Sequence, residues 1–226
     1  MKDTIIQRFS DAKIHASFVF LHQTIFLKML SEIFFEKDIR LENKRARLTQ
    51  LKAEDVYELD KIAYEPSIWQ LGMSNVKEQK DLKEYIDIAL KERAAKTSYP
   101  FLIFDKQTNS VAGSTRYGNI SFANKRLEIG WTWIHPKHQG TGLNKACKFL
   151  LLQFAFETLQ MNRVELKTDV LNQQSQKAMR KIGAKEEGIF RRHQVTSAGR
   201  VRDSIFFSII NTEWKEIKQS IFKEFI

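Results

Sequence analysis

Hydrophobic and polar positions along this chain switch repeatedly between two periods. "AEDVYELDKIAY" (53–64) and "EQKDLKEYIDIALKERAA" (78–95) predict amphipathic helices, the first ending before Pro66. Shorter runs predict strands: "RARLTQL" (45–51), then "YPFLIFD" (99–105) and "SVAGSTRYGNI" (110–120) joined at "KQTN", then "RLEIGWTWI" (126–134) after a turn at Asn124. The apolar run "LNKACKFLLLQFAF" (143–156) predicts a crossover helix. Beyond it come the strand "RVELKTDV" (163–170), the helix "NQQSQKAMRKIG" (172–183), a hairpin of "EEGIFRRHQV" and "VRDSIFFSII" around "TSAG", and a terminal helix. A strand, a crossover helix and a further strand make 126–134 and 163–170 parallel neighbours, so the expected class is α/β with a mixed sheet.

The first 40 residues follow another pattern. "FVFLHQTIFLKMLSEIFF" (18–35) is rich in Phe, Leu and Ile, but His22, Gln23, Thr24, Lys28, Ser31 and Glu32 interrupt it. It therefore lacks the ~18 unbroken apolar residues of a bilayer span. Asp3 and Asp11 stand where a signal peptide carries positive charge, and no small-residue cleavage site follows. Phe18, Leu21, Ile25, Met29 and Ile33 fall near one helical face. The expectation is an accessory helical extension over 1–40 that buries Phe18, Leu21, Ile25 and Met29 on the body or on a second copy in a homodimer, with a membrane surface as the alternative, and a main domain over 41–226.

Composition adds three constraints. With 226 residues, 42% of them hydrophobic, the chain can bury one full core. Its one cysteine, Cys147, lies inside an apolar run, which excludes an internal disulfide framework, gives no zinc spacing and fits a reducing cytoplasm. Lys plus Arg exceed Asp plus Glu by 37 − 27 = 10, which favours an anionic ligand without choosing among nucleotide, nucleic acid and membrane.

The stretch "HPKHQGTG" (135–142) stands at the mouth of the crossover helix. The first N–H groups of a helix have no partner within it, so Gly140, Thr141 and Gly142 are placed to wrap phosphate oxygens with main-chain donors. The P-loop pattern is absent, and Lys145 stands where the third glycine of a dinucleotide fingerprint belongs. Taken alone, the loop is either a tight turn or an anion site.

"LEIGWTWIHPKHQGTGLNKACKFLLLQFAFE" with "RVELKTDVLNQQSQKAMRKIGAKEEG" resembles the GNAT superfamily of acetyl-CoA-dependent N-acetyltransferases, and within it the RimJ/RimL-type ribosomal-protein N-acetyltransferases. The resemblance covers roughly residues 41 to 215. Gln139, Gly142 and Asn144 occupy the fixed places of the pyrophosphate pattern [QR]-x-x-G-x-[GA]. Asn144 departs from Gly/Ala, a departure shared by the Rim-like branch together with a lysine four residues on, here Lys148. "EPSIW" (65–69), Asn172 with Ser175, and "KIGAKEEG" (181–188) also match.

The resemblance implies a mostly antiparallel sheet with one splayed parallel pair, flanked by helices. It implies acetyl-CoA held by Gln139, Gly140, Thr141, Gly142, Leu143 and Asn144, by main-chain groups near Trp133 and Ile134, and by Asn172 on the pantetheine arm. Gly130 in mid-strand suits a bulge that begins the splay. Ser175 is the implied proton donor to the thiolate, and Glu128 the implied base, with Tyr117 an outside candidate. Each has a plainer reading: Ser175 as an ordinary helix residue, Glu128 as a carboxylate paired with Arg126 or Arg163. His135 and His138 read as structural, His138 facing solvent, and His193 as surface or substrate wall. Glu65, Trp69 and the hairpin arms near Arg191 to Arg202 are the expected acceptor lining, with Glu65 and Trp69 placed to bind a cationic amine and core closure the alternative for Trp69. The acceptor is expected to be a primary amine, on a small molecule or a protein N-terminus. No metal is expected. A non-catalytic CoA-binding or nucleic-acid-binding module on the same fold is the competing expectation, with "FRRHQVTSAGRVRD" (190–203) as its basic segment.

Overall fold

The computed structural model describes residue 29 and residues 31–226, and the chain's contacts divide it between Lys37 and Asp38. In the first unit residues 31–36 are helical, and Phe34 and Phe35 are buried with ring centroids 4.8 Å apart. Met29 and Ile33 are exposed in the single chain, at 49% and 40%. At 100° per residue, Phe34 and Phe35 lie on a different side of the helix from Met29 and Ile33, and theirs is the buried side. Phe18, Leu21 and Ile25 lie outside the described residues.

The second unit starts with a hairpin of β1 (Arg40–Glu42) and β2 (Ala46–Gln50), followed by three short helices. The helix expected over 53–64 is broken up: a 3-10 turn (Ala53–Asp55) leads into α1 (Val56–Leu59), then turns. Glu65 is extended (φ −71°, ψ 115°), as a residue before proline prefers, and Pro66 opens α2 (Pro66–Trp69). Next come α3 (Gln79–Ala94), β3 (Tyr99–Asp105), β4 (Ser110–Ser121), β5 (Arg126–Ile134), α4 (Leu143–Gln153) and β6 (Arg163–Asp169). α5 (Gln173–Lys181), β7 (Lys185–Val195), β8 (Val201–Ile210) and α6 (Asn211–Ile221) complete the unit.

The eight strands form one sheet in the order β1-β2-β3-β4-β5-β6-β8-β7, antiparallel except for the expected parallel pair β5–β6. β1 escaped the sequence reading because three residues, Arg40, Leu41 and Glu42, carry too little alternation to register.

Alternation assigns the two faces. Arg116 on β4 reaches Glu92 on α3, whereas its neighbour Tyr117 donates to the Leu151 carbonyl on α4 at 2.5 Å. One core therefore lies under α1–α3, where Leu59, Trp69, Leu82, Ile86 and Trp133 cluster. On the opposite face α4 buries Leu143, Ala146, Cys147, Leu150 and Leu151. Burial pushes the free Cys147 thiol up to about 12, so it serves as a small apolar side chain.

Candidate active site

β5 carries the geometry that opens the sheet. Its register with β4 pairs Ser114 with Trp133 but Arg116 with Gly130, so two steps on β4 face three on β5. The extra residue is Trp131, in the left-handed region at φ 50°. The bulge expected at Gly130 is thus centred one residue later. Gly130 is required for another reason: a Cβ there would stand 2.8 Å from Glu128 Oε1. Gly118 makes room for the Trp131 ring, which a Cβ would meet at 2.2 Å.

Pairing of β5 with β6 stops at Glu128↔Glu165 after three residue pairs, although both strands run on. Beyond that point the two diverge, leaving main-chain groups of β5 up to Trp133 and Ile134 at an open edge. This is the expected splay, and an extended ligand arm can pair there as a strand does.

At the wide end of the splay lies the loop 135–142. Gly140 and Gly142 take φ 73° and 88°, and a Cβ on either would meet nothing within 4 Å, so the loop's outer face is open. The first helical bond of α4 runs from Ala146 N–H to the Gly142 carbonyl at 3.0 Å. The N–H groups of Leu143, Asn144 and Lys145 thus fall outside the helical ladder, at its positive end. These features fit the pyrophosphate of acetyl-CoA: room for oxygens, main-chain donors and a favourable dipole.

The loop is held from beneath by a network that the sequence reading missed. Asp105, fully buried, pairs with Arg45 through one oxygen and lies 2.8 Å from His138 Nδ1 through the other. Arg45 also donates to Thr141 Oγ1 at 3.0 Å, and Thr141 donates to the His138 carbonyl at 2.7 Å. His138 is therefore buried, at 8% exposure, where solvent exposure was expected. The available signal was the acid closing the apolar strand "YPFLIFD". Gln139 bonds the Ile134 carbonyl at 2.8 Å and receives Gln174 of α5 at 3.0 Å, joining the two sides of the splay.

On α5, Asn172 Oδ1 accepts the Ser175 N–H at 2.9 Å and caps the helix. Ser175 is half-buried and its hydroxyl has no partner among the described residues, which leaves it free to donate. Behind β5, Lys148 is 7% exposed and donates to Thr132 Oγ1 at 2.8 Å, itself 2.7 Å from Thr115 Oγ1. Burial pulls its ammonium down to about 8.

On the α1–α3 face stands Glu128, 4% exposed. Its Oε2 accepts from Asn119 Nδ2 and Lys167 Nζ, both at 2.7 Å, while Oε1 accepts from no described residue. The carboxylate is thus ion-paired, but with Lys167. Arg126 and Arg163, the partners expected, bind Glu165 instead: Arg163 lies two residues from Glu165 on β6, and Arg126 stands opposite Arg163 in register. The Lys167 ammonium also lies 5.9 Å from the Trp131 and Phe206 rings.

Other candidates fall into place around this. Tyr117 is fully buried, and burial raises its hydroxyl well above the ordinary range, so it belongs to the core. Trp69 also packs in the core, 5.4 Å from Trp133, with its Nε1 on the Ala63 carbonyl at 2.7 Å. Glu65 is exposed and lies close enough to His135 to weigh on its charge. His135 is buried and accepts the Lys137 N–H at 3.3 Å, a structural use. His193 is half-buried against Phe190 and Phe206.

Residues 45–185 match the Acetyltransferase (GNAT) domain. The "Uncharacterized N-acetyltransferase p20" of Bacillus licheniformis is 26% identical over 179 residues, covering 77% of this chain and 97% of the relative. A GCN5-related N-acetyltransferase from Brucella melitensis superposes with a TM-score of 0.75 at 24% identity, over 84% of this chain and 86% of that one. A ribosomal-protein-S5-alanine acetyltransferase from Vibrio fischeri shares the fold at a TM-score of 0.65 and 17% identity, over 78% and 99%. With its family domain spanning the loop, the splay and both catalytic candidates, the chain belongs to the GNAT acetyltransferases.

Proposed function

We propose that this acetyltransferase takes its acetyl group from acetyl-CoA and delivers it to a primary amine, and that the loop Gln139–Asn144 is the pyrophosphate cradle. The observation that carries this reading is the pair of left-handed glycines with open outer faces at the start of α4, next to the splayed strands. Acetyl-CoA supplies an activated thioester. The protein supplies main-chain donors near Trp133 and Ile134 along the arm and Asn172 beside it, and it positions two proton-handling groups.

Glu128 Oε1 is the oxygen left to accept the amine proton, directly or through a water, while Asn119 and Lys167 fix the carboxylate through Oε2. Ser175 is the donor to the departing sulfur, its hydroxyl free on the other side of the splay. A ribosomal-protein N-terminus and small-molecule amines are both acceptors of the proposed class.

Calorimetry with Gly142→Glu tests the cradle. A carboxylate facing the pyrophosphate is expected to weaken acetyl-CoA binding ~10²-fold or more, the worth of one or two charge-assisted hydrogen bonds. Unchanged affinity in a folded variant refutes the assignment.

A further inference from the structure

On the face that carries Glu128, β8 presents Arg202, Ser204 and Phe206 toward the acceptor side, because their neighbour Phe207 faces Arg180 of α5. Arg202 is 5% exposed. Among the described residues its side chain makes one hydrogen bond, Nε to Ser204 Oγ at 3.0 Å, and no ion pair. The two nearby carboxylates are already engaged, Glu128 by Lys167 and Asp169 by Arg200. The terminal nitrogens of the guanidinium reach solvent and hold no counter-charge, so they are donors that an anion can meet.

Two further groups on the neighbouring strand carry buried polar atoms without partners among the described residues. Gln194 stands opposite Arg202 in register and so shares its face, and its Oε1 is buried without a partner. His193, turned inward by a bulge whose Arg192 takes φ 50°, has a buried and unpartnered Nδ1. Its ring lies 5.3 Å from Phe206, over which Lys167 also lies. Both Arg202 and His193 are close enough to Glu128 to feel its charge. Arg202 donors and an unpartnered His193 ring nitrogen therefore lie on the face that carries Glu128, and Gln194 Oε1 beside them is an acceptor for an N–H.

We infer that the acceptor is a small amine that also carries a carboxylate, of the free amino acid class, with the carboxylate held by Arg202 beside His193 while the amine meets Glu128. This rests on the acetyl-transfer reading for the amine and on Arg202 alone for the acid. The guanidinium fork matches a carboxylate in plane and in charge, and occupation of the site removes the desolvation burden that Arg202 carries when empty-handed.

The experiment compares the common L-amino acids with their amides, which keep the amine and the side chain and lose the negative charge. Thiol release from acetyl-CoA gives kcat and KM, and calorimetry gives binding. The wild-type protein is expected to prefer at least one amino acid over its amide by ~10-fold or more in kcat/KM, and Arg202→Gln to raise that acid's KM by ~10²-fold while leaving its amide and acetyl-CoA affinity unchanged.

A wild-type ratio at or below one for every pair overturns the inference, as does an Arg202→Gln protein that loses acid and amide equally. The wild-type ratio decides the matter even where Arg202→Gln fails to fold. Thiol release with amides or peptide N-termini and no preference for acids overturns the carboxylate site and leaves acetyl transfer intact. Calorimetric binding of an amino acid but not its amide, with no thiol release, supports the site and counts against the transfer reading.

Discussion

The two walls of the site are built from different materials. On the side proposed for the donor, the loop 135–142 and the open edge of β5 offer main-chain groups; Thr141 and Gln139 hold that main chain in place, while Asn172 caps α5. On the acceptor side, Glu128, Asn119, Lys167 and Phe206 arrive from four strands and contribute side chains. A wall of main chain tolerates changes of side chain provided the backbone keeps its shape, so it suits a donor that does not vary. A wall of side chains can be retuned one residue at a time, which suits an acceptor that does.

The strongest way to break this contrast is to attack the donor wall from beneath. Asp105→Ala removes the buried carboxylate shared by Arg45 and His138. The loss is expected to be about 3–5 kcal/mol of stability, from leaving buried partners unpaired. In protein that remains folded, acetyl-CoA affinity should fall although Asp105 lies behind the loop. Denaturant unfolding and calorimetry read both, and unchanged affinity would mean that the loop keeps its shape unaided.

Lys148 gives the next largest effect. Its folded value, about 8, lies below the ordinary 10.5. Between these limits the unfolded chain holds a proton that the folded chain has shed, so this group's contribution to stability rises with pH, by about 3 kcal/mol across the window. Lys148→Met should abolish that rise and make the variant the more stable protein below pH 8. Parallel wild-type and variant stability curves from pH 8 to 10.5 would contradict it.

Ser175→Ala should lower kcat by ~10²-fold with acetyl-CoA affinity nearly intact, as loss of a proton donor acts in the transition state. A loss confined to affinity would make Ser175 part of the binding wall instead. The smallest effect is expected from deleting residues 1–38. Acetyl-CoA affinity should stay within ~2-fold, because the resemblance to the family begins beyond the deletion, while light scattering should show a change in solubility or oligomeric state. Truncated protein unable to bind acetyl-CoA would refute an accessory role.

The donor wall was the more legible in sequence for the same reason that it is built of main chain. Gly140 and Gly142 mark the loop directly, since few other residues take φ 73° and 88° cheaply, and the periodicity of the runs on either side fixed the parallel pair. The acceptor wall was legible only in outline, as Glu128 and the hairpin arms, and not in its side-chain pairings. Lys167 reaches Glu128 across 39 residues of sequence, and only the register of a splayed pair puts them together. The same blindness gave Glu128 the wrong ion-pair partners and sent His138 to the surface, because its acid lies 33 residues upstream. Trp69 carries two readings in sequence, an acceptor contact or closure of the core, and its aromatic neighbours Tyr85 and Trp133 favour the second.

The extra residue at Trp131 also resets the parity of β5. Glu128 and Gly130 face the helices α1–α3, and so does Trp133, three positions after Gly130, while Thr132 turns to Lys148 on α4. Pairing this stretch regularly while keeping every residue would send the indole of Trp133 among the threonines and the hydroxyl of Thr132 into the aromatic core. The bulge is therefore a joint between two halves of β5: residues before it face the α1–α3 side where Glu128 stands, residues after it lead into the loop 135–142, and each half keeps its facing only while the bulge between them is kept.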